Sequence, residues 1–579
     1  MPEHDSFTAL MRERASSHGD RVALVFCHDP ADGSGDEPLT YAELDLAARR
    51  VAVLLRVHAE PGDRVLLLHE PGTGFAKGFL GALYAGMIAV PSPPPDGYRR
   101  QRERLAAIAR DAGVTVVLTD VRALGSIKEW AAEAGLDGLT CLAVDEDLPS
   151  ADGWRPPADD ARAPAFLQYT SGSTGDPKGV VVDHGNLLAN VEVFNRVTGS
   201  GPDTRFGGWL PMYHDFGLIG QLLIPLANGT TTVLMSPIAF LKRPHAWLRM
   251  IDRHGINLSP APNFAYELCV QRITDAQAAG LDLSGWTQAL NGSEPIRAAT
   301  LRAFAERFAP YGLRPDALLP GYGLAEATLA VSCTTRGGAA VVTPVDAERL
   351  ARGEFTPSAG GEVRNAPGSG RAEPGVAVVD PRSRAVLPEG RVGEIWVRGP
   401  HVARGYWRRP EVNAEVFDVE TADGEGGYLR TGDLGVIHEG ELYVTGRIKE
   451  LLIVRGRNLY PQDLEEEVRV THPALTRGVG AVFTVPAPDE EVVVVHECRV
   501  RDLGEVSPSG LAERIRVTLG REFGVSVGGV VLVRPSEVRR TTSGKIQRGL
   551  TRDLFTAGEL AVVHEELTPA VRRRYRIGA

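Results

Sequence analysis

The strongest constraint on the fold of this 579-residue chain is an alternation of two patterns between residues 40 and 400. Short apolar runs rich in β-branched residues, such as Arg64–Leu68 and Val114–Leu118, alternate with longer segments of helical periodicity, such as Tyr41–Val57 and Gln101–Ala112. Such alternation is typical of parallel sheets whose faces are covered by helices. The sequence therefore predicts an α/β fold in which a large N-terminal domain contains mixed, mostly parallel sheets flanked by helices.

The pattern changes past Gly446, where shorter elements follow one another. We expect helices at Pro461–Thr471 and Gly510–Phe523 and strands at Gly478–Thr484, Glu491–Val500 and Val530–Val533. A chain of this length exceeds a single hydrophobic core. We therefore predict an N-terminal domain over residues 1–446 and a small, mobile α+β C-terminal domain over 447–579. The Pro- and Gly-rich stretch Thr356–Pro374 is typical of flexible surface.

Composition excludes several classes of protein. A hydrophobic content of 43% with 24% charged residues is that of a globular protein, and the net charge of −11 is spread along the chain, which disfavours nucleic acid as a partner. The five cysteines form no C-x-x-C pair, which favours a reducing compartment over disulfides or structural zinc. The N-terminus lacks an apolar signal region, and the longest apolar stretch, Gly78–Pro91, is too short to span a membrane. We expect a cytoplasmic enzyme without a membrane span.

A glycine-rich loop, Tyr169–Gly179, lies between two strand-like runs. Its glycines allow consecutive backbone N–H groups to turn toward an anion, its Ser and Thr residues offer hydroxyl donors, and Lys178 adds positive charge. The loop lacks the Gly-Lys-Ser/Thr ending of a Walker A motif. Composition alone is also compatible with a linker. Its position between two strands favours a loop that holds a triphosphate.

Four later segments have the residue types that a nucleotide-activating site needs. Tyr322–Thr328 offers an aromatic face and the carboxylate of Glu326, which suits Mg²⁺. Arg430–Asp433 places an acid that suits a ribose diol, Gly446–Lys449 adds cations, and Thr541–Arg548 presents Lys545 on a small loop. Each segment alone is a weak signal, for which a surface turn or a solvated charge is the simpler interpretation.

Taken together, these segments resemble the adenylate-forming superfamily of acyl-CoA synthetases, peptide-synthetase adenylation domains and luciferases over nearly the whole chain. Further segments resemble its fatty acyl-AMP ligase branch: Pro211–Gly220, Pro262–Cys269, Asn291–Pro295, Tyr322–Thr328 and Gly446–Asp463. Ala325 stands where many superfamily members have Thr, and the branch shares this alanine. A longer segment after Ser332, over about residues 333–366, resembles the insertion of that branch, which restrains the small domain from the CoA-accepting pose. An inert surface loop is the alternative.

The resemblance implies ATP and Mg²⁺ as cofactors and a set of site residues. The catalytic set is Lys545, Glu326 and His214, with Glu326 as the metal ligand and Lys449 as the hinge. The ATP-binding set is Thr170, Ser171, Gly172, Ser173, Thr174, Gly175 and Lys178 at the phosphates, Gly292, Ser293, Glu294, Pro295, Tyr322 and Gly323 around adenine, Asp433 at the ribose and Arg447 at ribose or phosphate. Lys545 is implied to reach the acyl carboxylate and the α-phosphate. For His214, a gate of the acyl tunnel, a carboxylate contact and plain packing all remain open.

The implied function is the ATP-dependent activation of a fatty or related carboxylic acid to acyl-AMP and pyrophosphate. The acyl group would then pass to the phosphopantetheine thiol of a carrier protein, which acts in trans because no carrier segment is recognisable before Ala579. An acyl-CoA ligase, an aryl- or amino-acid-activating enzyme and a binding protein without turnover are the alternatives. Transfer to free CoA separates the first of these from a carrier-directed enzyme.

Overall fold

The computed structural model describes residues 4–30, 33–95, 99–170, 177–360, 363–454, 457–487, 490–541 and 544–576. Its strands are β1 (Val22–Cys27), β2 (Asp36–Thr40), β3 (Arg64–Leu67), β4 (Ile88–Pro91), β5 (Val116–Thr119), β6 (Thr140–Ala143), β7 (Pro164–Thr170), β8 (Lys178–Asp183), β9 (Phe206–Gly208), β10 (Thr232–Met235), β11 (Leu258–Ala261), β12 (Gln288–Asn291), β13 (Leu318–Gly323), β14 (Ala330–Cys333), β15 (Val342–Asp346), β16 (Val363–Pro367), β17 (Val376–Val379), β18 (Gly393–Val397), β19 (Leu429–His438), β20 (Glu441–Arg447), β21 (Leu452–Val454), β22 (Arg457–Leu459), β23 (Gly480–Pro486), β24 (Glu490–Glu497), β25 (Val527–Val533) and β26 (Val562–Leu567).

The α-helices are α1 (Phe7–Ser17), α2 (Tyr41–Arg56), α3 (Thr73–Tyr84), α4 (Arg99–Ala112), α5 (Val121–Glu133), α6 (His184–Thr198), α7 (Asp215–Leu218), α8 (Ile224–Ala227), α9 (Pro237–Lys242), α10 (His245–His254), α11 (Asn263–Arg272), α12 (Asp275–Ala278), α13 (Ala298–Phe308), α14 (Ala347–Ala351), α15 (Pro410–Val416), α16 (Pro461–Val470), α17 (Pro508–Phe523), α18 (Arg548–Ala557) and α19 (Pro569–Tyr575). In the described part of the chain, no helix has the length and apolar content needed to cross a bilayer.

Two large sheets form the N-terminal part. One has eight strands in the order β14-β13-β12-β11-β9-β10-β1-β2, and the other has six in the order β6-β5-β3-β4-β7-β8. Pairing is parallel except at β1–β2, β13–β14 and β7–β8, which are antiparallel. The predicted mixed, mostly parallel sheets are confirmed, because strands separated by crossover helices pair in parallel.

One buried apolar cluster joins the two sheets through the helices between them. Phe79 on α3 packs against Phe166 of the six-stranded sheet with ring centroids 5.8 Å apart. Phe194 on α6 packs against Phe206 of the eight-stranded sheet at 6.4 Å. Residues after Val376 add the antiparallel sheet β17-β18-β19-β20 beside these layers.

The C-terminal unit is built on the sheet β23-β24-β25-β26, as the predicted small α+β domain requires. Successive side chains of a strand point to opposite faces. Val492 and Val494 therefore join the core beneath α16 and α17, while Val493 and Val495 join the core beneath α18 and α19. The valine run is buried on both faces, which explains why it lacks polar alternation.

Local signals explain several element boundaries. Helix α2 begins at a capping box, in which Thr40 accepts from the backbone of Glu43 while the Glu43 side chain accepts from the Thr40 backbone. Helix α17 begins after the Ser507 cap and ends at Gly524 in the left-handed region.

The expectation of flexible surface over Thr356–Pro374 is wrong in its second half. Strand β16 pairs with β15 across five residue positions, and Ser369 and Gly370 are buried. Gly370 has φ of 90°, and a Cβ there would lie 2.1 Å from the backbone carbonyl of Cys333. The glycine is therefore needed for close backbone packing, whereas the sequence shows it only as a mark of flexibility.

This packing predicts that Gly370→Ala destabilises the protein far more than Gly353→Ala. Gly353 shares a positive φ of 81°, but a Cβ at that position would have no atom within 4 Å. The left-handed strain common to both costs about 1 kcal/mol, and only G370A adds a steric overlap with backbone. Thermal unfolding of the two variants measures the difference; equal melting temperatures would contradict it.

Candidate active site

Asp433 lies at the centre of a polar cluster formed by the neighbouring strands β19 and β20 and by strand β13. It pairs in register with Arg447 across β19 and β20. Arg447 Nε donates to Asp433 Oδ1 at 2.7 Å, and the Tyr322 hydroxyl donates to Oδ2 at 2.8 Å. Asp433 is buried, and its charge raises the pKa of Arg447. The structure thus brings together three residues to which the family resemblance assigns adenine, ribose, and ribose or phosphate: Tyr322, Asp433 and Arg447.

The predicted adenine segment follows β12. A Cβ at Gly292 would lie 3.2 Å from the carbonyl oxygen of Gly321, and one at Gly323 would lie 2.0 Å from that of Leu329, so both positions require close backbone approach. Ser293 adopts a φ of 71°, Glu294 is half-buried, and Pro295 is exposed. The loop therefore lies beside the strand that carries Tyr322, as a shared base-binding slot requires.

Glu326, the predicted metal ligand, is half-buried in a short 3₁₀ turn. Its Oε1 accepts from the Tyr406 hydroxyl at 2.7 Å. Tyr406 also lies beneath Lys178, whose Nζ is 5.1 Å from the ring centroid. Tyr406 therefore connects the end of the glycine-rich loop with the predicted metal ligand.

The glycine-rich loop itself joins β7 and β8. Thr170 and Lys178 pair in register at its base, and the side chain of Arg104 donates to the Thr170 carbonyl at 3.1 Å. The predicted phosphate ligands Ser171, Gly172, Ser173, Thr174 and Gly175 lie outside the described residues.

Lys545 comes from the C-terminal unit, yet its surroundings belong largely to the N-terminal part. Burial lowers its pKa, and the charge of Arg447 lowers it further, while the carboxylates of Asp215, Asp433 and Glu294 raise it. The preceding Gly544 lies against the ring of Phe264, with Cε1 at 3.2 Å from a Cβ built there. The C-terminal unit is therefore placed with its lysine among the site residues.

His214 and Asp215 form an ion pair at the start of α7, with Nδ1 and Oδ1 2.6 Å apart. Burial acts to raise the pKa of Asp215, but His214 and Lys545 outweigh it and lower the pKa overall. Asp215 is thus the polar partner of His214, and it lies near Lys545. The roles of His214 as a gate of the acyl tunnel or as a contact to the substrate carboxylate stay predictions.

Lys449 is exposed in a 3₁₀ turn between β20 and β21. Beyond it, Arg548 contacts Glu450 at 2.5 Å and Glu465 at 2.7 Å within the C-terminal unit. This position lies between the two parts of the chain, where a hinge would have to be, and the hinge itself stays a prediction.

An interdomain ion ring, formed by Glu267, Arg297, Glu466 and Arg469, holds the two units together. Arg297 lies 2.8 Å from Glu466 and 3.5 Å from Glu267, Arg469 lies 2.7 Å from Glu466, and Arg469 also contacts Glu267. Two of these contacts join helix α16 to residues of the N-terminal part. All four side chains are partly exposed, so each pair contributes only about 0–1 kcal/mol.

The segment over residues 333–366 contains the hairpin β15–β16 and helix α14. Its residues Val345, Leu350 and Phe355 pack in one cluster with Val436 and Tyr443 of the neighbouring sheet and with Tyr460 beyond Lys449. Arg364 lies 3.0 Å from Asp463 on α16 and 4.9 Å from the Tyr460 ring centroid. The segment therefore contacts both sides of the predicted hinge.

Two residues at the site, Tyr406 and Asp215, are absent from the site residues predicted above. Tyr406 is held by short pairing between residues 404–407 and β8, including Val181 N to Gly405 O at 2.8 Å; the sequence shows no charge pattern there. Asp215 follows His214 directly, and its nearness to Lys545 depends on tertiary packing.

The fold and the site together define an adenylate-forming enzyme: the buried Asp433 accepts from Arg447 and Tyr322 beside the loop predicted to bind adenine, and Lys545 comes from a separate C-terminal unit. Residues 11–407 match the AMP-binding enzyme family. The chain belongs to this family, within its fatty acyl-AMP ligase branch.

Two relatives and one solved structure illustrate the similarity. The chain is 39% identical over 572 residues to the medium-chain-fatty-acid–[acyl-carrier-protein] ligase JamA of Moorena producens, and the match covers 96% of each chain. It is 40% identical over 575 residues to the long-chain-fatty-acid–AMP ligase FadD26 of Mycobacterium marinum, over 95% of this chain and 97% of the relative. The fatty acyl-adenylate ligase from L. pneumophila, solved with acyl adenylate and pyrophosphate, matches with a TM-score of 0.74 and 34% identity over 98% of both chains.

We predict that Asp433→Asn weakens ATP binding by about tenfold or more, because a charged acceptor is roughly twice as strong as a neutral one. The amide also leaves Arg447 without its carboxylate partner. Isothermal titration with ATP measures the affinity, and Asp423→Asn, in an exposed turn, serves as control. Unchanged affinity in D433N would contradict the assignment of this cluster to the nucleotide.

Proposed function

We propose that the chain activates a fatty or related carboxylic acid with ATP and passes the acyl group to the phosphopantetheine thiol of a carrier protein in trans. The observation that carries the proposal is the placement of Lys545 among Asp215, Glu294, Asp433 and Arg447. The relative JamA is named for transfer of a fatty acid to an acyl carrier protein, which supports the same acceptor here.

In the first half-reaction, a carboxylate oxygen of the acid attacks the α-phosphorus of ATP. The bond from that phosphorus to the bridging oxygen breaks, and pyrophosphate leaves with the electron pair. Because two anions approach each other, the site must supply cations at fixed positions. Lys545 meets this need at the carboxylate and the α-phosphate, and the charges of Asp215, Asp433 and Glu294 in the other unit favour its ammonium form.

The nucleotide is held by the cluster around Asp433. A buried carboxylate that already accepts from Tyr322 and Arg447 is suited to bind ribose hydroxyls through its remaining lone pairs. Gly292, Ser293, Pro295 and the backbone of Glu294 then enclose the adenine together with the Tyr322 strand. Thr170 to Lys178 hold the β- and γ-phosphates, with Lys178 at the base of the loop.

Glu326 fits Mg²⁺ in its chemistry, because the ion prefers carboxylate oxygens and retains several waters. The half-buried side chain leaves room for such a shell, and the Tyr406 hydroxyl fixes one oxygen. When bound, the ion would neutralise charge on the phosphate oxygens. Lys178 and Arg447 add positive charge nearby.

In the second half-reaction, the thiol sulfur of the carrier attacks the acyl carbon, AMP leaves and the thiol proton passes to solvent. The C-terminal unit swings about Lys449 so that Lys545 withdraws and the thiol enters. The interdomain ion ring must open for this motion. Because its pairs are partly exposed, water replaces each contact at small cost.

The segment over 333–366 opposes rotation of the C-terminal unit into the pose that would accept CoA. Its support is the contact of Arg364 with Asp463 and Tyr460, which ties α16 to the hairpin. A cytoplasmic location and the domain boundary at residues 446 and 447 stay predictions. The acyl-CoA ligase and aryl- or amino-acid alternatives differ from this proposal in acceptor or in acid, not in the first chemical step.

We expect Lys545→Ala to slow acyl-AMP formation by at least about 100-fold, the loss typical of one transition-state donor. Transfer from supplied acyl-AMP to holo-carrier should remain near normal, because the lysine is withdrawn in that step. ATP–pyrophosphate exchange and single-turnover transfer measure the two steps, and Lys128→Ala, exposed on α5, is the control. Intact adenylation in K545A would refute the mechanism.

The acceptor is tested with Arg364→Ala and with deletion of residues 335–358. Loss of a restraint worth about 1 kcal/mol should raise transfer to free CoA about fivefold relative to holo-carrier, and the deletion should raise it further. Arg352→Ala, exposed in the same segment, should change nothing. Rapid acyl-CoA formation by the unaltered protein would instead favour a CoA ligase.

A further inference from the structure

Glu294 belongs by resemblance to the adenine slot, but its carboxylate faces a different part of the site. Its Oε1 accepts from the backbone N–H of Phe264 at 2.5 Å. Phe264 lies in the first turn of α11, where the N-cap residue Pro262 provides no side-chain hydrogen bond. Glu294 therefore satisfies a helix N–H that its own cap leaves free, and the negative charge is stabilised by that helix end.

The same helix turn carries the surface on which the catalytic loop rests. The Phe264 ring lies against Gly544, directly before Lys545. Gly544 has a φ of 88°, and a Cβ there would come within 3.2 Å of the ring. Phe264 therefore contacts Glu294 through its backbone N–H and packs against the loop before Lys545 through its ring.

Charge acts in the same direction as this packing. The charged groups that face Glu294 are Lys545 on the C-terminal unit, Arg297 ahead of α13 and Glu267 on α11. Arg297 and Glu267 are already engaged with each other and with α16 in the interdomain ion ring. Of the three charges near Glu294, Lys545 is the one that belongs to the C-terminal unit and would leave the site when that unit moves.

We infer that Glu294 is a positioning residue for the adenylating pose: its carboxylate, fixed by the Phe264 N–H, holds the Lys545 loop in the site during acid activation. This role rests on the proposed function and adds to it a residue that acts through Lys545. It differs from adenine recognition, which would depend on Glu294 whether or not Lys545 is present.

The titration of Glu294 gives the role a measurable signature. Burial raises the pKa of Glu294 to about 7, although the Phe264 N–H, Arg297 and Lys545 act to lower it. The carboxylate is charged above this pH and neutral below it. Attraction for the Lys545 loop is therefore present above about pH 7 and is lost as the pH falls through that value.

The test uses the full chain with dodecanoic acid as the probe, and ATP–pyrophosphate exchange is measured between about pH 5 and 9. We expect Glu294→Gln, which keeps an acceptor for Phe264 N–H, to lower kcat about tenfold at pH 8 through loss of a charged interaction. The E294Q variant should also lose the fall in exchange rate toward acidic pH that we expect near pH 7. Transfer from supplied acyl-AMP should be unchanged, because Lys545 has then left the site.

Glu306→Gln is the matched control, since Glu306 is exposed on α13 and the change removes the same charge. If E294Q proves unstable, Glu294→Asp replaces it: a retained acidic limb with a reduced rate supports the charge-dependent role. A higher KM for ATP with unchanged kcat in E294Q would show adenine binding instead and overturn the inference. A pH profile of E294Q that still falls near pH 7 would also overturn the inference. Absence of exchange in the unaltered protein with any fatty acid would refute the proposed function, a result distinct from either of these.

Discussion

A single ammonium group, that of Lys545, sets the electrostatic requirement around which this site is arranged. A cation removed from water needs nearby negative charge, and here the compensating carboxylates of Asp215 and Glu294 belong to the other unit of the chain. These carboxylates are therefore one of several features that favour the observed placement of the C-terminal unit. The contact of the Phe264 ring with Gly544 and the interdomain ion ring support the same placement.

The β19–β20 hairpin carries two residues of the predicted nucleotide site and leads directly into the predicted hinge. Asp433 and Arg447 pair in register across the two strands, and the strand that carries Arg447 runs directly into the turn that contains Lys449. The predicted ribose site and the predicted hinge are therefore separated by only two residues of backbone. Glu450, next in the chain, already contacts Arg548 of the C-terminal unit.

Much of this architecture could be predicted from the sequence, because strand and helix periodicities are local signals. The parallel sheets, the valine strand at Glu490–Glu497 and the residues Tyr322, Asp433, Arg447 and Lys545 follow from such patterns or from the family resemblance. Tyr406 could not be predicted, since its contact with Glu326 arises from pairing between segments more than 200 residues apart in sequence. The β15–β16 hairpin could not be predicted from the sequence, because glycine and proline occur both in flexible segments and where backbones pack closely.

The small apolar cluster around Phe355 has a thermal consequence. It includes Tyr460, which lies on the far side of Lys449 from Val345, Leu350 and Phe355. A swing that separates these groups exposes apolar surface to water, and such exposure increases heat capacity. In the proposed motion, the equilibrium between the two poses of the C-terminal unit would therefore vary with temperature through this difference in heat capacity, apart from any effect of the ion pairs.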